Sequence, residues 1–181
     1  MESTHATSNP QSTIHNPKSA IRNMINPQTR IGHVHLTVSD LERALAFYRD
    51  VLGFEVTARY GRDAVFLSAG EYHHHIGLNT WAGRGAPRPP AGTTGLYHFA
   101  ILYPDRPALA AAVRRVLEQG IVLEGAADHG VSEAIYLRDP DGNGVELYRD
   151  RPESEWPRAP DGSLVMHTRP LDLPTLLAQG D

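Results

Sequence analysis

The alternation of apolar and polar residues becomes regular at residue 30 and predicts a strand, a helix and three further strands. RIGHVHLTV reads as the first strand, and SDLERALAFYRDVLG as the helix. The apolar helix positions fall on one face at helical spacing, namely Leu41, Ala44, Leu45, Tyr48 and Leu52. Ser39 and Glu42 predict a capping box, and Gly53 ends the helix. The three strands that follow are FEVTARY, DAVFLSAG and YHHHIGLNTW.

The same order of elements recurs after a connector rich in Pro and Gly, AGRGAPRPPAGTTG. The second copy reads GLYHFAILY, then the helix DRPALAAAVRRVLEQG, then IVLEGAADHG, SEAIYLRD and GVELYRD. A single open four-stranded sheet has edges to cover and a face to bury, so two βαβββ copies predict one pseudo-symmetric α+β domain. We place it at 30–152, with module one at 30–82 and module two at 92–152.

The segments outside this domain lack a comparable pattern. Residues 1–29 are rich in Ser, Thr, Asn, Pro and Gln and contain no apolar core of a secretory signal, so we expect a disordered or extended segment. Residues 153–181 are expected to be a C-terminal extension packed on the surface, and His167 within it is assigned no role.

The two copies can be aligned residue by residue in places. When HVHLTV is aligned with HFAILY, His33 corresponds to His98. When DAVFL is aligned with EAIYL, Phe66 corresponds to Tyr136. Beyond that point one residue has to be inserted. If the inserted residue lies in the DPDGNG turn, where insertions are readily tolerated, His75 aligns with Glu146. If no residue is inserted, Ile76 aligns with Glu146. We adopt the insertion.

Composition narrows the classes of function. The chain has 181 residues, a net charge of -4, 10 histidines and no cysteine. It shows no basic patch for nucleic acid and no apolar run that would span a membrane. The missing cysteines exclude disulfides, thiolate metal sites and cysteine nucleophiles, and they fit a cytoplasmic protein.

From Arg30 to Pro152 the paired modules resemble the vicinal oxygen chelate superfamily, which includes glyoxalase I, fosfomycin-resistance proteins, bleomycin-binding proteins and extradiol dioxygenases. HGVSEAIYLRDPDGNGVE, residues 129–146, is similar to the signature of the extradiol enzymes. YHHHIGLNTW and the stretch from Asp150 to Leu177 resemble catechol-2,3-dioxygenase-like proteins. The resemblance implies a cupped mixed sheet around a divalent metal.

The resemblance also implies a set of site residues. The metal ligands would be His33, His98 and Glu146. Glyoxalase I has a glutamate at the fourth position, where the alignment puts His75. A histidine there is typical of extradiol dioxygenases, in which it is the acid–base catalyst. His129 and Tyr136 would donate hydrogen bonds near the substrate.

Two imidazoles and one carboxylate form a facial triad that leaves metal positions open, which suits an anionic catecholate together with O2. Fe(II) is the expected metal, with Mn(II), Ni(II) and Zn(II) as alternatives. An imidazole, whose usual pKa is near 6.5, can exchange protons close to neutrality. We therefore expect an extradiol dioxygenase that acts on a small catechol-like aromatic.

Several alternatives stay open from the residues alone. His33 and His98 could be ordinary interior histidines, and His35 could replace His33 as a ligand because it shares its face. His75 could be a fourth ligand or a structural residue. Strand alternation would put His73 on the face of His75 and turn His74 away.

The alternative functions are a metal-dependent isomerase or thiol transferase of the same superfamily, and a metal-free binding or resistance protein. Exposed sheet edges make a homodimer plausible. The sequence does not identify the substrate.

Overall fold

The structure is a computed structural model that describes residues 25–179. Most of the segment predicted to be disordered lies outside the described residues. The helices and strands of both predicted modules lie in a compact unit that begins at Gly32. The α+β prediction of two βαβββ modules is confirmed. No helix in the described part of the chain is long and apolar enough to cross a membrane.

Module one forms a four-stranded sheet, which we call sheet 1, and one helix. Its elements are β1 (Val34–Thr37), α1 (Leu41–Leu45, continuing as a π-helical turn over Ala46–Val51), β2 (Glu55–Tyr60), β3 (Ala64–Ser68) and β4 (Ile76–Asn79). The strand order is β1-β4-β3-β2, with β1 parallel to β4. Each element lies within its predicted segment, and most strands are shorter than the segment because their ends turn into loops.

Module two repeats this plan in a five-stranded sheet, sheet 2. Its elements are β5 (Phe99–Leu102), α2 (Arg106–Glu118), β6 (Leu123–Asp128), β7 (Ser132–Arg138) and β8 (Gly144–Asp150). The C-terminal extension adds a 3-10 turn (Glu153–Glu155), β9 (Arg169–Pro170) and α3 (Leu173–Leu177). The order is β5-β8-β7-β6-β9, so the extension supplies an edge strand of sheet 2.

The start of α1 differs from the predicted capping box. Asp40 is the N-cap, and its side chain accepts a hydrogen bond from the backbone N–H of Arg43. The Ser39 hydroxyl instead donates to Asp141 Oδ1 at 2.6 Å, in the turn between β7 and β8. Serine and aspartate can both cap a helix. Asp40 is the N-cap here because the Ser39 hydroxyl is bonded to Asp141, which is distant in the sequence.

The modules pack together through their helices. Tyr48 in the π-helical turn is fully buried, and its hydroxyl donates to Asp139 Oδ2 at 2.8 Å. Arg115 on α2 donates from Nε to the carbonyl oxygen of Val51 at 3.1 Å. Apolar residues of both helices and of one face of each sheet form a single core. The other face of each sheet, which we call its open face, is turned away from its helix.

Candidate metal centre divided between two sheets

Two of the three predicted ligands meet on the open face of sheet 2. Glu146 lies on β8, paired with Ala100 on β5 and with Tyr136 on β7. Its Oε2 is 3.0 Å from Nε2 of His98, just before β5, and its side chain is 12% exposed. Parallel pairing of the first and last strands of the module brings these residues together, although they are far apart in the sequence.

Tyr136 and His129, the predicted hydrogen-bonding residues, adjoin this pair. The Tyr136 hydroxyl is 3.3 Å from Glu146 Oε1 and 2.7 Å from Nε2 of His129. Burial and the neighbouring Glu146 carboxylate raise the pKa of Tyr136 to about 12. Tyr136 therefore keeps its hydroxyl proton at neutral pH and can act as a hydrogen-bond donor.

Gly144 allows the first strand of module two to approach the last one. A Cβ atom at this position would lie 2.1 Å from the carbonyl oxygen of Tyr97 and 2.9 Å from Cβ of His98. Any larger residue would push His98 away from Glu146, so Gly144 contributes to the site without carrying a reactive group.

The open face of sheet 1 carries a separate group of imidazoles. The His33 ring lies 4.5 Å, centroid to centroid, from the His74 ring, which is 5.0 Å from the Phe66 ring. His35 lies between Phe66 and Trp81 at 5.8 and 5.7 Å. Burial and then neighbouring imidazoles, His33 first, lower the pKa of His74. The lowered pKa favours the neutral form of His74, which is the form of imidazole that binds metals.

The prediction that His74 points away from His33 is wrong. Strand β4 begins only at Ile76, so the alternation of side chains does not extend back to His74. The backbone bends over residues 72–73. His73 Nδ1 lies 2.7 Å from His74 Nδ1, which ties these two rings to each other.

His75 has different surroundings. Its Nδ1 accepts from the backbone N–H of Ala69 at 3.3 Å and lies 3.0 Å from the Ser68 hydroxyl, and its ring is 4.8 Å from that of Tyr72. Because Nδ1 accepts from Ala69, the hydrogen of a neutral His75 ring is on Nε2.

Strand pairing corrects the alignment of the two copies. Among the paired residues are Val34 with Ile76, His35 with Gly77, Phe99 with Val145 and Ala100 with Glu146. If His33 corresponds to His98, the counterpart of Glu146 is Gly77. The neighbouring strands agree: Phe66 pairs with Gly77, and its counterpart Tyr136 pairs with Glu146, so Gly77 again corresponds to Glu146. The alignment of His75 with Glu146 is therefore wrong by two residues, and the extra residue lies between β3 and β4.

Gly77 leaves sheet 1 without a carboxylate at this position. A Cβ atom there would lie 2.9 Å from Cγ of His35, so the His35 ring occupies the space that a side chain would need. The extra residue was not apparent from the sequence, because the β3–β4 connection of module one has no turn motif as distinctive as DPDGNG.

Within the described residues, no three His, Asp or Glu side chains lie close enough together to hold a metal ion. Sheet 2 offers an imidazole and a carboxylate, whereas His33 is on sheet 1 beside His74. Two imidazoles and a carboxylate remain a suitable donor set for a divalent metal. The predicted ligand set is therefore divided in one chain into two parts, which we call the half-sites.

The fold is that of known glyoxalase-like structures. A lactoylglutathione lyase from Agrobacterium tumefaciens matches with a TM-score of 0.52 and 29% identity, over 68% of this chain and 96% of that one. A glyoxalase/dioxygenase from Nostoc punctiforme matches with a TM-score of 0.57 and 19% identity, over 74% of this chain and 100% of that one.

The family follows from the sequence comparisons. The family model of the Glyoxalase/Bleomycin resistance protein/Dioxygenase superfamily matches residues 30–147. The chain belongs to this superfamily, as its motifs predicted.

Two of its curated relatives have names that specify a reaction. The chain is 44% identical over 155 residues to a catechol-2,3-dioxygenase of Bacillus subtilis (strain 168), covering 86% of this chain and 53% of that protein. It is 36% identical over 122 residues to biphenyl-2,3-diol 1,2-dioxygenase 3 of Rhodococcus globerulus, covering 67% and 63%. The chain thus spans about half to two thirds of the length of these relatives.

Proposed function

We propose that the protein is an extradiol dioxygenase that opens the ring of a catechol-like aromatic with O2. The observation that carries this proposal is the contact of His98 with Glu146, beside Tyr136 and His129, on the open face of sheet 2. The names of the relatives, which specify catechol and biphenyl-diol cleavage, support the same reaction.

His98 and Glu146 of one copy and His33 of a second copy would hold the metal. Within one chain the helices join the modules, and among residues 25–179 the shared apolar core lies on the helix side of each sheet and not on its open face. Sheet 1 offers imidazoles and sheet 2 offers a carboxylate, so the open faces of two copies complement each other chemically. When bound, Fe(II) would offer open positions to both the diol and O2 and would supply redox chemistry. Mn(II) is the main alternative, because one relative is named as manganese-dependent.

The chain's own residues would then position the diol and move protons. Tyr136, as a neutral hydroxyl beside Glu146, and His129 behind it would hydrogen-bond near the diol. We assign the acid–base role to His74, which lies against His33, with the predicted catalyst His75 as the alternative. An imidazole can take a proton from a diol hydroxyl and return it to an oxygen of the opened ring.

Gly77 distinguishes this reaction from that of the isomerases. The resemblance to glyoxalase I implied a glutamate at the last-strand position of module one, and strand pairing puts Gly77 there. An isomerase site of that kind would lack one of its carboxylates. Ring cleavage requires only the one carboxylate that sheet 2 provides.

The proposal can be tested by loading the full-length protein anaerobically with Fe(II), Mn(II), Ni(II) or Zn(II). We expect O2 uptake matched by loss of the diol, with catechol or 2,3-dihydroxybiphenyl, after Fe(II) or Mn(II) only. Glu146→Gln should remove both metal and uptake, whereas Glu55→Gln, an exposed carboxylate on β2, should keep both. No uptake by a fully metal-loaded protein with any diol tested would overturn the proposal.

A further inference from the structure

The C-terminal extension is integrated into sheet 2. Strand β9 pairs with β6 through Asp128 and Arg169, and the backbone N–H of His167 donates to the carbonyl oxygen of His129 at 3.3 Å. Further along, Arg114 on α2 donates to the carbonyl oxygen of Leu177 at 2.7 Å. We call residues 167–170 the strap. It contacts both the backbone and the ring of His129, next to the half-site of sheet 2.

The strap determines which nitrogen of His129 carries hydrogen. Nδ1 of His129 lies 3.0 Å from the carbonyl oxygen of His167. A carbonyl oxygen can only accept, so the hydrogen must be on Nδ1. The Thr168 hydroxyl, 3.3 Å from the same nitrogen, can serve as a second acceptor. In a neutral ring this leaves Nε2 without hydrogen.

The orientation of His129 then fixes the Tyr136 proton. A Tyr hydroxyl has one hydrogen to donate. The Tyr136 hydroxyl oxygen lies 2.7 Å from Nε2 of His129, which carries no hydrogen in this tautomer, but 3.3 Å from Glu146 Oε1. Tyr136 therefore donates to His129, and the Glu146 carboxylate keeps its lone pairs for other partners. In the opposite tautomer His129 would donate to Tyr136, and Tyr136 would donate to Glu146.

We propose that the strap is a positioning element: the His167 carbonyl selects the Nδ1–H tautomer of His129 and so directs the Tyr136 hydroxyl proton away from Glu146. Only the catalytic consequence of this arrangement rests on the proposed dioxygenase function. The tautomer itself is a property of the chain without metal or substrate.

Gly130 provides a way to displace the strap. Its φ is +78°, and a Cβ atom there would lie 2.6 Å from Cε1 of His167 and 2.8 Å from Cγ of Pro157. Gly162 is a matched control, because its φ is +82° and a Cβ atom there would have nothing within 4 Å. Alanine at either position has the same backbone strain, but only at Gly130 would the new methyl group meet the strap, through the ring of the His167 side chain.

The experiment is histidine side-chain ¹H–¹⁵N NMR of the full-length, metal-free protein, with His129 assigned by comparison with His129→Gln. We expect the Nδ1–H tautomer of His129 in the wild type, in Gly162→Ala and in Thr168→Val, and its loss in Gly130→Ala. An Nε2–H tautomer in the wild type would overturn the proposal without any variant. A folded Gly130→Ala in which the backbone ¹H–¹⁵N signal of His167 shifts but the wild-type tautomer of His129 remains would do so as well. So would a Thr168→Val that loses this tautomer.

The catalytic consequence has its own measurement. Gly130→Ala should lower kcat of the metal-loaded protein about 10-fold relative to Gly162→Ala, the usual effect of losing a residue that supports a metal site. In a Tyr136→Phe background the difference should vanish, since no hydroxyl proton is left to direct. If the tautomers behave as expected but no diol is cleaved, the strap proposal stands and the proposed function fails.

Discussion

The three consecutive histidines, residues 73–75, show how sharply the surroundings of adjacent residues can differ. His74 lies against His33, whereas His75 is tied to Ser68 and Ala69. His75 was the predicted acid–base catalyst because the alignment of the two modules set it opposite Glu146, and strand pairing shows that this alignment is wrong by two residues. The structure favours His74, whose ring adjoins the predicted ligand.

We therefore expect His74→Ala to lower kcat about 100-fold, as loss of a general acid–base group does, while the metal stays bound. His75→Ala should lower kcat much less, since it removes mainly a contact with the loop at Ser68. Steady-state kinetics together with metal analysis of both variants measures this. The opposite order of effects would restore His75 as the acid–base residue, and loss of metal from His74→Ala would make His74 a ligand.

The residues that meet on sheet 2 were expected from the resemblance to the extradiol enzymes, and strand pairing explains why they lie together. Tyr136 and Glu146 lie on two strands joined by a short turn, so their pairing follows from local register, and His129 lies in the loop before β7. His98 follows from the pairing of the module's first and last strands. The sequence did not indicate that Gly77 is the counterpart of Glu146, because a glycine has no side chain that would suggest a ligand position.

At the level of elements, the DPDGNG turn has a second role besides joining β7 to β8. Asp139 accepts a hydrogen bond from the Tyr48 hydroxyl, and Asp141 accepts one from the Ser39 hydroxyl. The turn is thereby bonded to the helix of module one and to the residue that precedes its N-cap. The sequence predicted the turn from its composition but not these contacts, which depend on how the two helices pack. The π-helical turn that bears Tyr48 was also not predictable, because its apolar residues fit an ordinary α-helix.

Tyr48→Phe should lower the free energy of unfolding by about 2 kcal/mol, the usual value of a hydrogen bond to a charged group. Asp139 is 2% exposed and would lose one of its partners inside the core. Urea denaturation with a fixed m-value measures the change. Tyr60→Phe, at a position that is 71% exposed, is the matched control and should change little. Equal stabilities of the two variants would show that the turn does not hold the modules together.

At the level of the whole molecule, the internal repeat predicted two modules but not which of their faces meet. Both possible arrangements bury one face of each sheet, so hydrophobic periodicity cannot distinguish them. In the part of the chain that the structure describes, the helix-bearing faces form the shared core, and the faces that carry the predicted ligands lie outside it. His33 therefore cannot join His98 and Glu146 in the same chain, and the site that we propose requires a second copy.

This requirement can be tested by complementation, because a symmetric dimer would have two sites, each built from sheet 1 of one copy and sheet 2 of the other. His33→Ala and Glu146→Ala should each be inactive and metal-poor alone. Co-assembled, they should regain about a quarter of the wild-type activity and metal content, since half of the dimers would be mixed and each would have one intact site.

The matched control combines His98→Ala with Glu146→Ala, because both changes are on sheet 2 and no exchange of copies can produce an intact site. Sedimentation of each mixture should show the same dimer, so that any difference between the mixtures reflects the sites and not assembly. Recovery in the control pair, or none in the first pair despite mixed dimers, would contradict a shared site. A fully active monomer would do the same, because all three ligands would then have to meet within one chain.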